Sequence, residues 1–173
     1  LYINLEHRKD RLLNVVTQLE DMKLKGNRFN AIRNKNGAIG CSLSHIKCLQ
    51  IALENDWEYV CIIEDDIVFS DKKIFMESLN NLKNNFKGDW DVIILGGNNC
   101  PPFEYINNNL IKVNNCQTTT GYIVNKKYYS KLINNFKESV SKLMKNPNNK
   151  KEYALDIYWK RLQKEDNWYL LTP

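Results

Sequence analysis

An apolar run that ends in three consecutive carboxylates constrains this chain more than any other feature. Residues 59–63 are mostly β-branched or apolar, which predicts a central strand of an α/β sheet, since such a strand is covered on both faces. Glu64, Asp65 and Asp66 follow directly. Because burying successive carboxylates is costly, we expect them to emerge at the carboxyl end of the strand, where open α/β sheets bind ligands.

The acidic triplet predicts a site for a hard divalent cation. Carboxylate oxygens suit Mg²⁺ or Mn²⁺, which proteins hold through one or two carboxylates while substrate phosphates complete the shell. The competing interpretation is a solvated acidic turn after a strand. The apolar residues 67–69 on the far side favour the metal site, because ordinary acidic turns are seldom apolar on both sides.

Composition predicts a soluble single domain and argues against several functions. The 173 residues, 43% hydrophobic and 26% charged, suit one domain with a sizeable core, and no apolar run approaches the length of a transmembrane segment. The net charge of +5 mildly favours anionic ligands, but dispersed basic residues predict no nucleic-acid partner. The five cysteines lack disulfide-framework or zinc spacing, which predicts free thiols. Both ends fall at predicted strands, so we expect truncation at both ends.

Strands alternate with helices along the chain, which predicts a mostly parallel α/β sheet flanked by helices. Residues 98–109 contain two prolines and several asparagines, which predicts a loop over the site. The predicted strands are 1–5, 28–32, 59–63, 91–95, 110–116, 118–124 and 168–171, and the predicted helices are 10–25, 37–56, 71–88, 126–136, 139–145 and 153–162.

Several segments place polar or small residues near predicted strand ends. Arg8 and Arg11 follow the first strand and could hold phosphate oxygens, although a solvated helical turn explains them as well. Small residues in 37–45 would let a ligand approach the amino end of the second helix. The alternative there is a cap at Ser42 or Ser44 and a satisfied, half-buried histidine.

Two further positions are candidates on the same grounds. The pair Gly96-Gly97 closes the strand at 91–95, where backbone can lie close to a bound ligand. Asp156 lies in the first turn of the last predicted helix, where the helix dipole favours a carboxylate and a capping role explains it adequately.

These segments follow one another in the same order as in glycosyltransferase family 25, and over nearly the whole chain they resemble that family. It contains the lipooligosaccharide-chain glycosyltransferases and the collagen hydroxylysine galactosyltransferases. The matching segments are Tyr2-Ile3-Asn4-Leu5 with Arg8 and Arg11, then residues 39–45, 62–66, 90–97, 119–124 and 155–156.

The resemblance implies one GT-A-like, Rossmann-like catalytic domain over residues 1–173 with a nucleotide-sugar donor. The acidic triplet would be its metal motif for Mn²⁺ or Mg²⁺, with Asp66 the first choice among the ligands Glu64, Asp65 and Asp66. Asp65 could instead meet hydroxyls of the donor. The candidate donor-binding residues are Asn4, Leu5, Arg8, Arg11, Gly40, Ser44, His45 and Asp65. The candidate acceptor-side residues are Gly96, Gly97, Thr119, Gly121 and Tyr122.

The implied reaction moves a hexose, galactose or glucose, from a UDP-sugar to a hydroxyl of a saccharide or of a collagen-like hydroxylysine, with inversion. Such an attack needs a general base opposite the leaving group, and Asp156 is the candidate. Two alternatives stay open: a metal-dependent phosphoryl or nucleotidyl transferase, and an inactive module that binds nucleotide sugars. A lipooligosaccharide-type enzyme would be cytoplasmic or membrane-peripheral, and a collagen-type enzyme would lie in the endoplasmic reticulum lumen.

Overall fold

The fold is an eight-stranded sheet with helices on both faces. The structure is a computed structural model that describes residues 1–172. The strands are β1 (Tyr2–Asn4), β2 (Arg28–Asn30), β3 (Tyr59–Glu64), β4 (Val92–Asn99), β5 (Phe103–Asn107), β6 (Leu110–Val113), β7 (Cys116–Asn125) and β8 (Trp168–Leu171). The helices are α1 (Lys9–Asp21), α2 (Gly37–Glu54), α3 (Lys72–Asn85), α4 (Tyr129–Lys145), α5 (Lys150–Tyr153), α6 (Leu155–Tyr158) and α7 (Lys160–Gln163). Among residues 1–172, no helix combines the length and the apolar character needed to cross a membrane.

The strand order is β2-β1-β3-β7-β4-β8-β6-β5. Strand β1 pairs in parallel with β2 and β3, and β4 pairs in parallel with β8, whereas β7 runs antiparallel between β3 and β4. Since β6 is antiparallel to β5 and β8, six of the eight strands point the same way. The predicted mixed α/β sheet flanked by helices is therefore confirmed, with three parallel and four antiparallel strand pairs among the described residues.

The antiparallel direction of β7 brings distant parts of the chain to one edge of the sheet. Gly121 of β7 pairs with both Ile63 of β3 and Gly96 of β4. The residues that precede Gly121 therefore lie beside the end of β3 and the second half of β4. We call this edge, marked by Asn4, Glu64, Gly96 and Gly121, the carboxyl edge.

Alternate residues of β3 pack on opposite faces of the sheet. Ile62 belongs to the larger core cluster with Leu49 of α2. Ile63 packs on the other face with Val15 of α1. This alternation directs Glu64 toward α2 and the following carboxylate toward α1.

The prediction of a loop at residues 98–109 is wrong. Strand β4 continues to Asn99, and residues 103–107 form β5, which pairs with β6 in register Phe103↔Val113. Phe103, Tyr105 and Ile106 favour a strand, and this preference outweighs the turn-forming asparagines around them.

The two helices predicted between residues 126 and 145 are one helix, α4, preceded by a 3₁₀ turn at Lys126–Tyr128. Its buried residues Leu132, Phe136, Val140 and Leu143 recur every three or four positions, so one continuous apolar face packs on the core. The single helix predicted at residues 153–162 is instead divided, because Ala154 adopts an extended backbone (φ −59°, ψ 144°) between α5 and α6.

The amino end of α2 is capped by Asn36, whose side chain accepts a hydrogen bond from the Ala38 N–H at 3.1 Å. The serine cap considered from the sequence is therefore wrong. Gly40 lies one turn further on, against the backbone that follows β2. A Cβ atom at Gly40 would lie 2.6 Å from the Ile32 carbonyl oxygen, whereas one at Gly37 would meet nothing within 4 Å.

We predict that Gly40→Ala lowers the free energy of unfolding by about 1–3 kcal/mol, because the backbone of Ile32 must move to admit a methyl group. Gly37→Ala is the matched control in the same helix, and it should stabilise the protein by up to about 1 kcal/mol. Urea denaturation of both variants measures the difference. Equal stability of the two variants would contradict this packing.

Candidate functional site

The three carboxylates at the end of β3 point in different directions. Glu64 faces α2 and is partly buried, Asp65 is buried beside β1, and Asp66 keeps 44% of its side chain exposed beside α1. Within residues 1–172, these three side chains do not by themselves bring their oxygens to a single point. The acidic triplet therefore divides into one carboxylate on the α2 face and two on the α1 face.

Asp65 is held by two partners from the first 11 residues of the chain. Asn4 donates a hydrogen bond from Nδ2 to Asp65 at 2.7 Å, and Arg11 donates from Nη1 at 3.2 Å. The same Arg11 nitrogen donates to Asp66 at 2.9 Å. Asn4 is fully buried, and its amide also donates to the Arg8 carbonyl and accepts from Arg28. Asn4 thus positions the acidic triplet, and its contact with a nucleotide stays a prediction.

Arg8 is placed differently from Arg11, although the sequence gives them the same role. Its guanidinium forms a bidentate ion pair with Asp10, at 2.9 Å from Nε and 2.6 Å from Nη2. This contact holds the pKa of the Asp10 carboxyl well below its usual value, despite the opposing effect of desolvation. The Leu5 carbonyl accepts a hydrogen bond from the Arg8 N–H, which closes the turn between β1 and α1.

Glu64 lies in a buried polar cluster on the α2 face. Thr119 donates a hydrogen bond to its Oε1 at 2.6 Å, and Nε2 of His45 lies 3.4 Å from the same oxygen. Burial opposes ionisation of Glu64, but His45 and Thr119 outweigh it, so the pKa is lowered. His45 and Tyr122 are fully buried, with Nδ1 of His45 at 2.8 Å from the Tyr122 hydroxyl. Tyr122 therefore contacts this cluster through His45, on its buried side.

Gly40 and Ser44, both predicted on the donor side, are engaged by the protein itself. The Ser44 hydroxyl donates to the Gly40 carbonyl and accepts from the Ile32 N–H, both at 2.8 Å. Together with the close approach at Gly40, these contacts fix the start of α2 against the chain that follows β2. Contact of either residue with a donor stays a prediction.

Thr118 links Asp156 to the carboxyl edge. Its N–H donates to Asp156 Oδ2 and its hydroxyl donates to the Gly96 carbonyl, each at 3.2 Å. Thr118 has φ +87°, a conformation that is strained for a β-branched residue and that neighbouring groups must hold in place. Asp156 contacts β7 and makes no capping hydrogen bond to its own helix. The capping interpretation is therefore wrong.

The glycines at the carboxyl edge serve different purposes. A Cβ atom at Gly97 would lie 2.7 Å from Cys116 Sγ, and one at Gly121 would lie 2.9 Å from Ile67, so both glycines allow close packing within the protein. A Cβ atom at Gly96 would meet nothing within 4 Å. Gly96 thus borders open space, and its contact with an acceptor stays a prediction.

Sequence reasoning missed two residues of this site. Arg28 donates to Asn4 at 3.0 Å and so supports the acidic triplet from β2. Cys41 lies beside Glu64, and burial together with the charges of Glu64, Asp156 and Asp66 raises the pKa of its thiol. Its position four residues before His45, on the same helix face, was the available signal.

An apolar cavity of about 670 Å³ lies on the α1 and α3 face, away from Glu64. Its lining includes Tyr2, Leu19, Phe75 and Phe86 and contains no carboxylate. The cavity is therefore separate from the polar site at the carboxyl edge.

We predict that Arg11→Met lowers the free energy of unfolding by about 1–2 kcal/mol, because the buried Asp65 loses its cationic partner. Arg8→Met should cost less than about 1 kcal/mol, because it removes only an exposed ion pair with Asp10. Urea denaturation at neutral pH measures both losses. A larger loss for Arg8→Met would contradict the bracing role of Arg11.

Comparisons with known proteins agree with this architecture. The model of glycosyltransferase family 25 (LPS biosynthesis protein) matches residues 35–159. Among solved structures, mannose-1-phosphate geranyltransferase from Thermus thermophilus is similar, with a TM-score of 0.52 and 9% identity. The similarity covers 98% of this chain but only 57% of that one, and it shows a shared fold. No curated protein matches the sequence. Since the family match spans most of the chain, this protein belongs to glycosyltransferase family 25.

Proposed function

We propose that this chain is the catalytic domain of a metal-dependent glycosyltransferase that moves a hexose, galactose or glucose, from a UDP-sugar to a saccharide or hydroxylysine hydroxyl with inversion. Family membership supports glycosyl transfer in general. The observation that carries the finer proposal is the half-exposed Asp66 carboxylate, held 2.9 Å from Arg11 at the edge where α/β sheets bind ligands.

The carboxylates fit a divalent cation such as Mn²⁺ or Mg²⁺. Oδ1 of Asp66 and Oε2 of Glu64 accept no hydrogen bond from residues 1–172, whereas both oxygens of Asp65 are occupied. Asp66 and Glu64 would hold the ion, and Asp65 would orient the segment, in the mode where a diphosphate completes the shell. The ion would supply positive charge to the departing diphosphate.

Arg11 is suited to bind the diphosphate while it braces the carboxylates. Only its Nη1 donates to Asp65 and Asp66, and its other N–H groups make no hydrogen bond within residues 1–172. A guanidinium has several N–H donors in a fork that matches phosphate oxygens. Arg8 has fewer free donors, because Asp10 occupies it bidentately.

Asp156 is the proposed general base. Its Oδ2 accepts the Thr118 N–H, and its Oδ1 accepts no hydrogen bond from the described residues. The Thr118 contact would orient the carboxylate and leave one oxygen for an acceptor hydroxyl. Gly96, which borders open space, is linked to Asp156 through Thr118.

We predict that Asp66→Asn in the full-length protein lowers Mn²⁺-dependent UDP release from the preferred UDP-hexose by at least about 100-fold, because a metal ligand is lost. Asp21→Asn, an exposed carboxylate that pairs with Lys72, is the control and should retain activity. Circular dichroism verifies the fold. Wild-type rates in Asp66→Asn would remove the metal motif, and release of pyrophosphate would favour nucleotidyl transfer.

A second prediction separates base catalysis from positioning. Asp156→Asn should lower kcat by about 10²- to 10⁴-fold with little change in the donor KM, because the amide oxygen can still accept the Thr118 N–H but cannot take a proton. Glu165→Gln, at an exposed carboxylate, is the control. Steady-state kinetics against donor and acceptor measure both parameters. An unchanged kcat in Asp156→Asn would exclude it as the base.

A further inference from the structure

Three side chains of different chemistry meet on the α2 face behind the carboxyl edge. Cys41 and His45 stand one helical turn apart on α2, and Glu64 ends β3 opposite them. One potential ligand atom from each lies within 4.8 Å of the other two. Ligands of a tetrahedral Zn²⁺ lie about 3.6 Å apart at ordinary bond lengths, so small side-chain rotations would bring these atoms into coordination.

His45 carries an unsatisfied polar atom at this point. Its side chain is fully buried, and Nε2 makes no well-aligned hydrogen bond within residues 1–172, although Glu64 Oε1 lies 3.4 Å away. Buried polar atoms without partners are rare, because their desolvation is not compensated. The other ring nitrogen, Nδ1, lies 2.8 Å from the Tyr122 hydroxyl. A metal-binding histidine usually has such a contact, which fixes its tautomer and ring orientation.

The local charge favours a cation. The Glu64 carboxylate lies within 4.8 Å of the Cys41 sulfur and of a ring nitrogen of His45, so it contributes negative charge at this point. A cation in this potential would be stabilised, and binding would displace the thiol proton. The positive charge of Arg11 also acts on Glu64, but its guanidinium lies on the α1 face, where it donates hydrogen bonds to Asp65 and Asp66.

We propose that Cys41, His45 and Glu64 form a Zn²⁺ site with an open fourth position. A thiolate, an imidazole and a carboxylate are ligands that suit Zn²⁺, whereas Mg²⁺ and Mn²⁺ favour oxygen ligands. Glu64 would bind through Oε1, the oxygen that already faces His45, and Thr119 would orient that carboxylate. The cysteine spacing predicted only free thiols. It could not indicate this site, because two of the ligands come from a helix and the third from a distant strand.

The site does not depend on the proposed sugar transfer. Cys41 and His45 have no part in the proposed Mn²⁺ or Mg²⁺ site. Glu64 belongs to both proposals, through Oε1 for Zn²⁺ and through Oε2 for the other ion, whereas Asp66, the first ligand of that other ion, pairs with Arg11 on the other face. An open fourth position at zinc accepts water or a ligand oxygen or sulfur. The direct consequence is one thiolate-ligated metal per chain.

The test uses Co²⁺ as a spectroscopic probe on the full-length protein, reduced and freed of metal by a chelator. We expect one equivalent of Co²⁺ to produce a sulfur-to-cobalt charge-transfer band and the visible bands of a four-coordinate ion, and Zn²⁺ to abolish both. Cys41→Ser should remove the charge-transfer band and weaken Co²⁺ binding by at least about 10-fold. Changing a residue that only supports a ligand already costs about 10- to 100-fold in metal affinity, so losing a ligand should cost no less. Cys100→Ser, which removes an exposed thiol, should leave the spectrum unchanged.

Further variants keep the result interpretable. Glu64→Gln and His45→Gln should also weaken Co²⁺ binding, with circular dichroism as the check on folding. If His45→Gln does not fold, Cys41→Ser and Glu64→Gln carry the test. Asp66→Asn should retain the band even though we expect it to lose UDP release, so failure of either proposal is distinguishable. Absence of the band in the wild type, its persistence in Cys41→Ser, or its loss in Cys100→Ser would overturn the zinc site.

Discussion

The hydrogen bond between Asn4 and Asp65 is the interaction on which the rest of the site depends. It joins the ends of β1 and β3 across 61 positions of the chain at 2.7 Å, and both side chains are buried or nearly so. A buried carboxylate is tolerated only where donors and positive charge compensate it, and Asn4 and Arg11 provide both. With Asp65 fixed in this way, Asp66 stands at the surface beside Arg11 and Glu64 turns toward α2.

The antiparallel strand β7 supplies the other half of the site. Because it runs between β3 and β4 against their direction, its early residues reach the same edge as the acidic triplet. Thr119 thereby contacts Glu64, while Thr118 holds Asp156 and Gly96 together. The site is thus a boundary between two faces of one sheet: Asp65, Asp66 and Arg11 lie toward α1, and Glu64, Cys41 and His45 lie toward α2.

Local patterns predicted the parts of the fold in which one periodicity dominates. The apolar runs at 59–63 and 91–95 fall almost wholly in β3 and β4, and most of their residues are buried although Tyr59 is exposed; the carboxylates do emerge where β3 ends. The sequence could not distinguish Arg8 from Arg11, because only tertiary contacts show that Asp10 engages the first and Asp65 the second. It also could not show that β7 is antiparallel, since that direction depends on pairing with strands far along the chain. Cys41 went unrecognised for the same reason, because its partner Glu64 is 23 positions away.

We propose that a sugar diphosphate binds through a divalent ion at the end of β3. The most direct measurement is a crystal structure of the full-length protein with Mn²⁺ and UDP, with the ion located by anomalous scattering. We expect an anomalous peak in contact with the Asp66 carboxylate and the diphosphate, with Arg11 beside a phosphate oxygen. An ordered UDP whose diphosphate lies away from Asp66, with no ion beside that carboxylate, would contradict it.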